Sequence, residues 1–509
     1  MAIYTITIDD ISGGEAPVPN FAQKNQFWSS ANLNLEDGDL RQTTIETLGT
    51  APSDIAMWNI KNAKDSNTYE YLYDGKINAV SNDYSTVTAL NSGAALTAST
   101  GNGAAYYDNY IYFAKNTDIA RYGPLNGTPS LSQTYWTGTL GKTALANTTY
   151  PTIDGYKLPN HVMYAHTDNK LYFADVVNGQ GVIHYIETSK TTVEGDTNAG
   201  STYNALDLPY GFYPTAIAGY GTDLVVACVD ISQNMPAKLI FWDTTSSTYT
   251  QIISVELTDP LITAIRNVNG KLVVFSGQAD QTQSYYRIQY LAGGYTLRNL
   301  TYHEIITGYP PMQGEVAHFG EKIYYSTSGY IYSIGGELGF VTKQAIYALY
   351  SGFMTQTIDA SRIGAISIYG YARYSVPLFT AKETTGVSNV YKRAILSTSG
   401  GTANGGYFRS QTYKIGRPFQ INSVILHCDS GLSEAVTPEI RIDNSGSSTL
   451  TVLSPANYPN ETIFVLKPDG ALNGKNNFYL ELTWAQTGST TTLELPIIIE
   501  IETLEDGTY

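Results

Sequence analysis

A turn rich in Asn, Asp or Gly, followed by a short Ile/Leu/Val strand carrying Tyr or Phe, returns along this chain. That recurrence constrains the fold more than any other feature. It reads Tyr73-Asp74-Gly75-Lys76-Ile77, Tyr107-Asp108-Asn109-Tyr110-Ile111, Thr167-Asp168-Asn169-Lys170-Leu171, Tyr220-Gly221-Thr222-Asp223-Leu224, Val268-Asn269-Gly270-Lys271-Leu272 and Phe319-Gly320-Glu321-Lys322-Ile323. Turn pairs of this kind supply the positive φ that a tight hairpin needs. The first aliphatic residues of successive strands are 34, 60, 53, 48 and 51 positions apart. A four-stranded propeller blade occupies roughly 40–50 residues.

Two copies display all four strands. Residues 215–257 divide into Thr215–Ala218, Asp223–Val229, Lys238–Trp242 and Tyr249–Leu257, and residues 262–306 into Ile262–Val268, Lys271–Ser276, Ser284–Leu291 and Tyr295–Ile306. Strands near a propeller axis are crowded and read apolar and small, whereas outer strands have one wet face and alternate. The expected fold is therefore all-β, a β-propeller of six to seven blades over residues 51–410, with residues 360–410 able to hold the seventh. One helix is expected as an insertion, over Thr342–Tyr350 with Gly352 just past its end.

From Tyr413 the texture changes. Phe419–Cys428, Glu439–Asp443, Thr449–Leu453, Glu461–Lys467, Asn476–Trp484 and Thr492–Glu502 read as strands at the short spacing of a β-sandwich. The Gly-rich stretch 399–406 precedes them as a linker. A C-terminal β-sandwich is expected over 411–509, and residues 1–50 are expected as a strand followed by an extended segment.

Composition supports this reading and narrows the function. Tyrosine stands at 42 of 509 residues, and its ring suits half-buried pleated surfaces. Charged residues make up only 15%, against about 25% in ordinary domains. The net charge of −16 repels phosphate backbones, which argues against specific nucleic-acid binding. Cys228 and Cys428 sit in apolar strands of different domains and are expected as buried free thiols. Residues Met1–Asp10 alternate as a strand and lack the pattern of a signal peptide. No apolar run is long enough to span a membrane as a helix.

The chemistry-bearing residues form no recognisable site. His161, His166, His184, His303, His318 and His427 show no zinc-ligand spacing. No phosphate loop and no nucleophile elbow occurs. Glu36-Asp37-Gly38-Asp39 lacks the ligand series of a calcium loop. Trp242-Asp243, Gly293-Gly294 and Gly335-Gly336 do not build WD40 or kelch signatures, and the Asn-x-Ser/Thr sites at Asn126, Asn147, Asn299 and Asn460 are near chance. Catalytic, cofactor-binding and metal-ligating residues are each expected to be none, and the chain is not expected to be an enzyme.

Three stretches together resemble tail proteins of tailed bacteriophages, in particular the propeller-type nozzle, hub and DNA-stabilisation proteins of short-tailed phages and related minor tail proteins. The first is Asn32-Leu33-Asn34-Leu35-Glu36-Asp37-Gly38-Asp39-Leu40-Arg41 followed by Leu48-Gly49, similar to their entry motif without its Arg-Pro. The second is the Tyr-rich blade strand itself. The third is Tyr413-Lys414-Ile415-Gly416-Arg417-Pro418-Phe419, leading into the terminal strands. The resemblance implies a structural virion protein made in a host cytoplasm, in several copies around the tail axis, with other tail proteins as partners. Two other readings stand beside it: a module binding a carbohydrate or receptor such as a host-surface glycan, which the tyrosine excess suggests, and a glycan-cleaving propeller enzyme.

Overall fold

The computed structural model describes, with short breaks, residues 2–49, 58–90, 103–187, 205–305, 310–348, 363–394 and 402–504. Its contacts divide the chain into two compact units, one of residues 48–328 and 356–391, the other of 1–47, 329–355 and 392–509. This division runs differently from the expected 1–50, 51–410 and 411–509, because the chain's first residues fold with its last.

The first unit is the propeller. Among the described residues, five four-stranded antiparallel meanders lie wholly within this unit and follow one another. Blade 1 is Trp58–Lys61, Thr68–Tyr73, Ile77–Ser81 and Val87–Ala89. Blade 2 is Ala104–Tyr107, Tyr110–Lys115, Asp118–Gly123 and Ser130–Ser132. Blade 3 is Met163–His166, Lys170–Val177, Gln180–Ile186 and Leu206–Tyr210. Blade 4 is Phe212–Tyr220, Asp223–Asp230, Lys238–Trp242 and Ile253–Glu256. Blade 5 is Leu261–Val268, Lys271–Gln278, Ser284–Ala292 and Thr296–Ile305. Blade 6 opens with Val316–Phe319 paired to Lys322–Thr327, and blade 7 with Ile363–Tyr371 paired to Tyr374–Lys382. The innermost strands of these seven sheets touch in sequence, and that of blade 7 touches that of blade 1, so the ring is closed.

The turns between first and second strands carry the left-handed conformations that the sequence anticipates, at Asn109 (φ 65°), Asn169 (φ 64°) and Asn269 (φ 49°). Second strands then bury completely: Ile111–Ala114, Leu171–Ala174, Leu224–Val229 and Leu272–Phe275 are all essentially inaccessible. Each buried Val, Leu, Ile or Phe contributes about 1.5–3 kcal/mol, so these strands carry much of the packing between blades. Tyrosine joins them. Tyr172 of blade 3 meets Trp242 of blade 4 edge-on with centroids 5.3 Å apart, and Tyr325 of blade 6 meets Phe275 of blade 5 at 5.4 Å. Between-blade packing thus absorbs these rings.

One sequence expectation is corrected. Thr342–Ala348 is a strand, paired antiparallel with Tyr330–Gly335, and not a helix. Thr342, Ile346 and Tyr347 all favour a pleated surface, and a ladder outweighs the weak propensity of so short a helix. Gly352 lies outside the described residues.

The second unit is a continuous antiparallel network. Thr492–Thr503 runs through it, paired with Phe419–Cys428, Ala2–Ile8 and Leu40–Gln42. Asn477–Trp484 pairs with Gly406–Arg409, Val436–Ile442 and Tyr413–Lys414, and Ser29–Ala31 extends that set. Gly446–Thr451 and Ile463–Pro468 link the two groups. One apolar core serves both: Phe408, Phe478, Leu480, Leu482 and Trp484 from one, Val424, Leu426, Ile497, Ile499 and Ile501 from the other. Cys228 and Cys428 are free and buried, as expected, and burial pushes each thiol up to about 12.

Candidate functional site

An innermost propeller strand has a free edge facing the axis, and its N–H and C=O groups need partners once buried. Here the chain supplies them itself. Residues 310–316, between blades 5 and 6, are buried throughout. The short 3-10 turn Gln313–Glu315 touches the innermost strands of blades 1, 5 and 7. Gln313 Oε1 accepts from the Ile265 N–H of blade 5 at 3.0 Å, while its Nε2 donates to the Ile217 carbonyl of blade 4 at 3.2 Å. Arg266 Nε donates to Val316 O at 2.9 Å, and Arg266 Nη2 to Gln313 O at 3.2 Å. Burial lowers the pKa of that guanidinium. Glu315 Oε2 accepts from the Met312 N–H at 2.8 Å and closes the turn. The segment is a strap bound to the axial edges of several blades.

Buried carboxylates act as clamps on connecting loops. Asp118 accepts from the N–H groups of Ile119 (2.8 Å), Trp136 (3.0 Å) and Thr137 (3.2 Å), and also from the Thr137 hydroxyl. It thereby fixes the turn Tyr135–Thr139, where Trp136 packs edge-on against Phe173 at 5.1 Å. Asp175 accepts from Ala146, Asn147 and Val176 N–H at 2.8, 2.9 and 2.8 Å. Asp259 accepts from Ser276 (2.6 Å), Tyr285 (2.9 Å) and Arg287 (2.7 Å). At the surface, the Ser246 and Thr245 bonds draw the Asp243 carboxyl down to about 2. A carboxylate committed to several donors at once is a fixed acceptor, suited to holding a loop.

The histidines fall in several places. His161 is buried, with its ring nitrogens 2.8 Å from Ala174 O and 2.9 Å from Asn147 O and Asp175 Oδ1 at 3.7 Å. His184 Nε2 stands 3.9 Å from Asp175 Oδ2, so Asp175 joins two histidines that the sequence does not pair. His166 is buried beside Asp168, 3.2 Å away. His318 is exposed on blade 6, His303 lies on the outer strand of blade 5, and His427 is half-buried in the other unit. Among the described residues, no group of three or more His, Cys, Asp or Glu is placed to hold a metal ion. Asp39 is described and Glu36, Asp37 and Gly38 are not. Asn147 donates to Asn160 at 2.7 Å and Asn299 accepts from Gln289 at 2.8 Å, so both side chains are engaged in the fold. Asn126 is exposed in a turn, and Asn460 lies outside the described residues.

The second unit carries an aromatic and charged surface. Arg409 lies over the rings of Trp28 (5.2 Å) and Tyr407 (5.0 Å) and pairs with Glu481 at 2.7 Å. Arg441 reaches Glu481 at 3.4 Å and Glu439 at 2.9 Å, and Trp28 meets Tyr479 edge-on at 5.0 Å. Sequence reading singles out none of these residues, nor Gln313, Asp118 or Asp175. The one local signal is Pro310-Pro311 ahead of Gln313, which marks a break in the blade rhythm.

The chain matches no known protein-family profile, and no curated protein matches its sequence. Solved structures do align with it. The β-propeller domain of Cps50 (Swd1) from Myceliophteria thermophila is 12% identical, covering 69% of this chain and 99% of that one at a TM-score of 0.36. The WD40 domain of Neurospora crassa Pan2 is 9% identical over 69% of this chain and 95% of that one, with a TM-score of 0.38. A putative 6-phosphogluconolactonase from Bacteroides uniformis is 14% identical over 57% and 79%, with a TM-score of 0.30. Among the described residues, no helix is long and apolar enough to cross a membrane. The propeller assignment stands on the strand pairing and on the closed ring of innermost strands.

Proposed function

We propose that the chain is a structural subunit of a tailed-phage virion, built into the tail or a tail-associated assembly in several copies. The observation that carries this reading is the axial strap. The axis of a ring-shaped fold is where a ligand would find convergent polar groups, and here Gln313 and Arg266 bind the chain's own backbone instead. A ring braced in this way serves as a rigid spacer. The resemblance at Asn32–Arg41 and Tyr413–Phe419 and the Tyr-rich blade strands support the same reading, and we read the second unit as a sandwich that joins neighbours. Quantitative mass spectrometry of purified particles tests it: a fixed copy number is expected, and recovery only in the unassembled fraction would refute it.

The Trp28, Tyr407 and Arg409 surface favours a second reading, attachment to a host glycan, since aromatic faces pack on sugars. A glycan array read with the natural chain and with Trp28→Ala tests that reading. No signal, or signal unchanged by the substitution, removes it.

A further inference from the structure

The strand Ala2–Ile8 is paired along one edge with Thr503 through Ile497. Among the described residues no strand pairs with its other edge. The strand is well anchored: Ile8 is buried, Arg417 Nη2 donates to Tyr4 Oη at 2.8 Å, and Thr503 Oγ1 donates to Ala2 O at 3.3 Å. Yet Ile3 is 71% exposed and Tyr4 42%. Proteins guard such edges with charges, prolines or bulges, because a row of open N–H and C=O groups templates another strand. Ala-Ile-Tyr-Thr-Ile-Thr-Ile contains no charge and no proline, and its pairing shows no bulge.

We propose that this edge pairs antiparallel with the same edge of a second copy of the chain, on a two-fold axis through Thr5. The sequence is self-complementary about that residue. Thr5 faces Thr5, Tyr4 faces Ile6, Ile3 faces Thr7 and Ala2 faces Ile8. Aromatic–aliphatic and Thr–Thr pairs of this kind are favourable across strands. Centring on Thr5 also gives the longest overlap the strand allows. In a chain of net charge −16, an uncharged strip of backbone donors and acceptors is a surface on which two copies meet without like-charge contact. The result is a closed, isologous pair whose sheets run on across the axis. The proposal goes beyond the reading of a virion subunit and stands independently of it.

The experiment is disulfide trapping of the purified full-length chain, in which Cys228 and Cys428 stay buried. Facing residues of antiparallel strands have Cα atoms about 4.5–5.5 Å apart, within disulfide reach. Under copper-phenanthroline oxidation, T5C is expected to run mostly at twice the monomer mass on a non-reducing gel. Y4C and T7C alone stay monomeric, and Y4C combined with I6C cross-links. Trapping of T5C no better than of Y4C or T7C overturns the register. A monomeric mass for the unsubstituted chain by sedimentation overturns the pairing itself, and neither result bears on incorporation into particles.

Discussion

Gln313→Leu removes the hydrogen-bonding head of the axial strap at nearly constant side-chain volume. Two buried backbone groups then lose their partners, the Ile265 N–H of blade 5 and the Ile217 carbonyl of blade 4. An unsatisfied buried polar group costs about 1–3 kcal/mol, so the pair costs about 4 kcal/mol. At about 1.4 kcal/mol per factor of ten, local opening of these strands becomes about a thousandfold more frequent, up to the limit set by global unfolding. Hydrogen–deuterium exchange read by mass spectrometry on peptides covering 212–220 and 261–268 reports that opening directly. Exchange within a factor of about three of the natural chain in both peptides would show that the strap does not satisfy the inner edges. Acceleration in only one would locate the defect in one blade and leave the bridge between blades unsupported.

Asp118→Ala leaves the N–H groups of Ile119, Trp136 and Thr137 without their acceptor, so trypsin cleavage after Lys142 should accelerate while far-ultraviolet circular dichroism stays unchanged; unaltered cleavage contradicts the clamp. Burial raises both thiols to about 12 from an ordinary value of 9.0. A raised acid favours the folded state below its unfolded pKa, and that contribution fades as pH climbs from about 9 towards 12. Urea midpoints should fall over this window, and less steeply in Cys228→Ala; identical slopes would remove the thiol from the account.

The blade rhythm was legible because turn chemistry is local. Asn109, Asn169 and Asn269 adopt the positive φ that their neighbours announce, and the strands that follow are continuous apolar runs. The phase of the first copy was not legible. Ile77 opens the third strand of blade 1, whereas Ile111, Leu171, Leu224, Leu272 and Ile323 lie in second strands, which explains the short first gap of 34 residues. An Asp-Gly turn serves either hairpin of a meander equally well, so composition alone cannot say which one it closes. The strap escaped for a different reason: Gln313 reads as an ordinary polar loop residue until strands from blades 4 and 5 converge on it. The N-terminal strand was expected, but its partner Ile497–Thr503 lies at the far end of the chain, and no local pattern encodes such a pairing. The carboxylate clamps likewise join residues separated by up to 29 positions, as in Ala146 with Asp175.

Electron cryo-microscopy of the purified chain, at a resolution that separates strands, tests the architecture most directly. Seven sheets should surround one axis, the innermost strand of the seventh against that of the first, with residues 310–316 crossing between them. An open arc of sheets, another number of blades or an axis clear of that segment would contradict it.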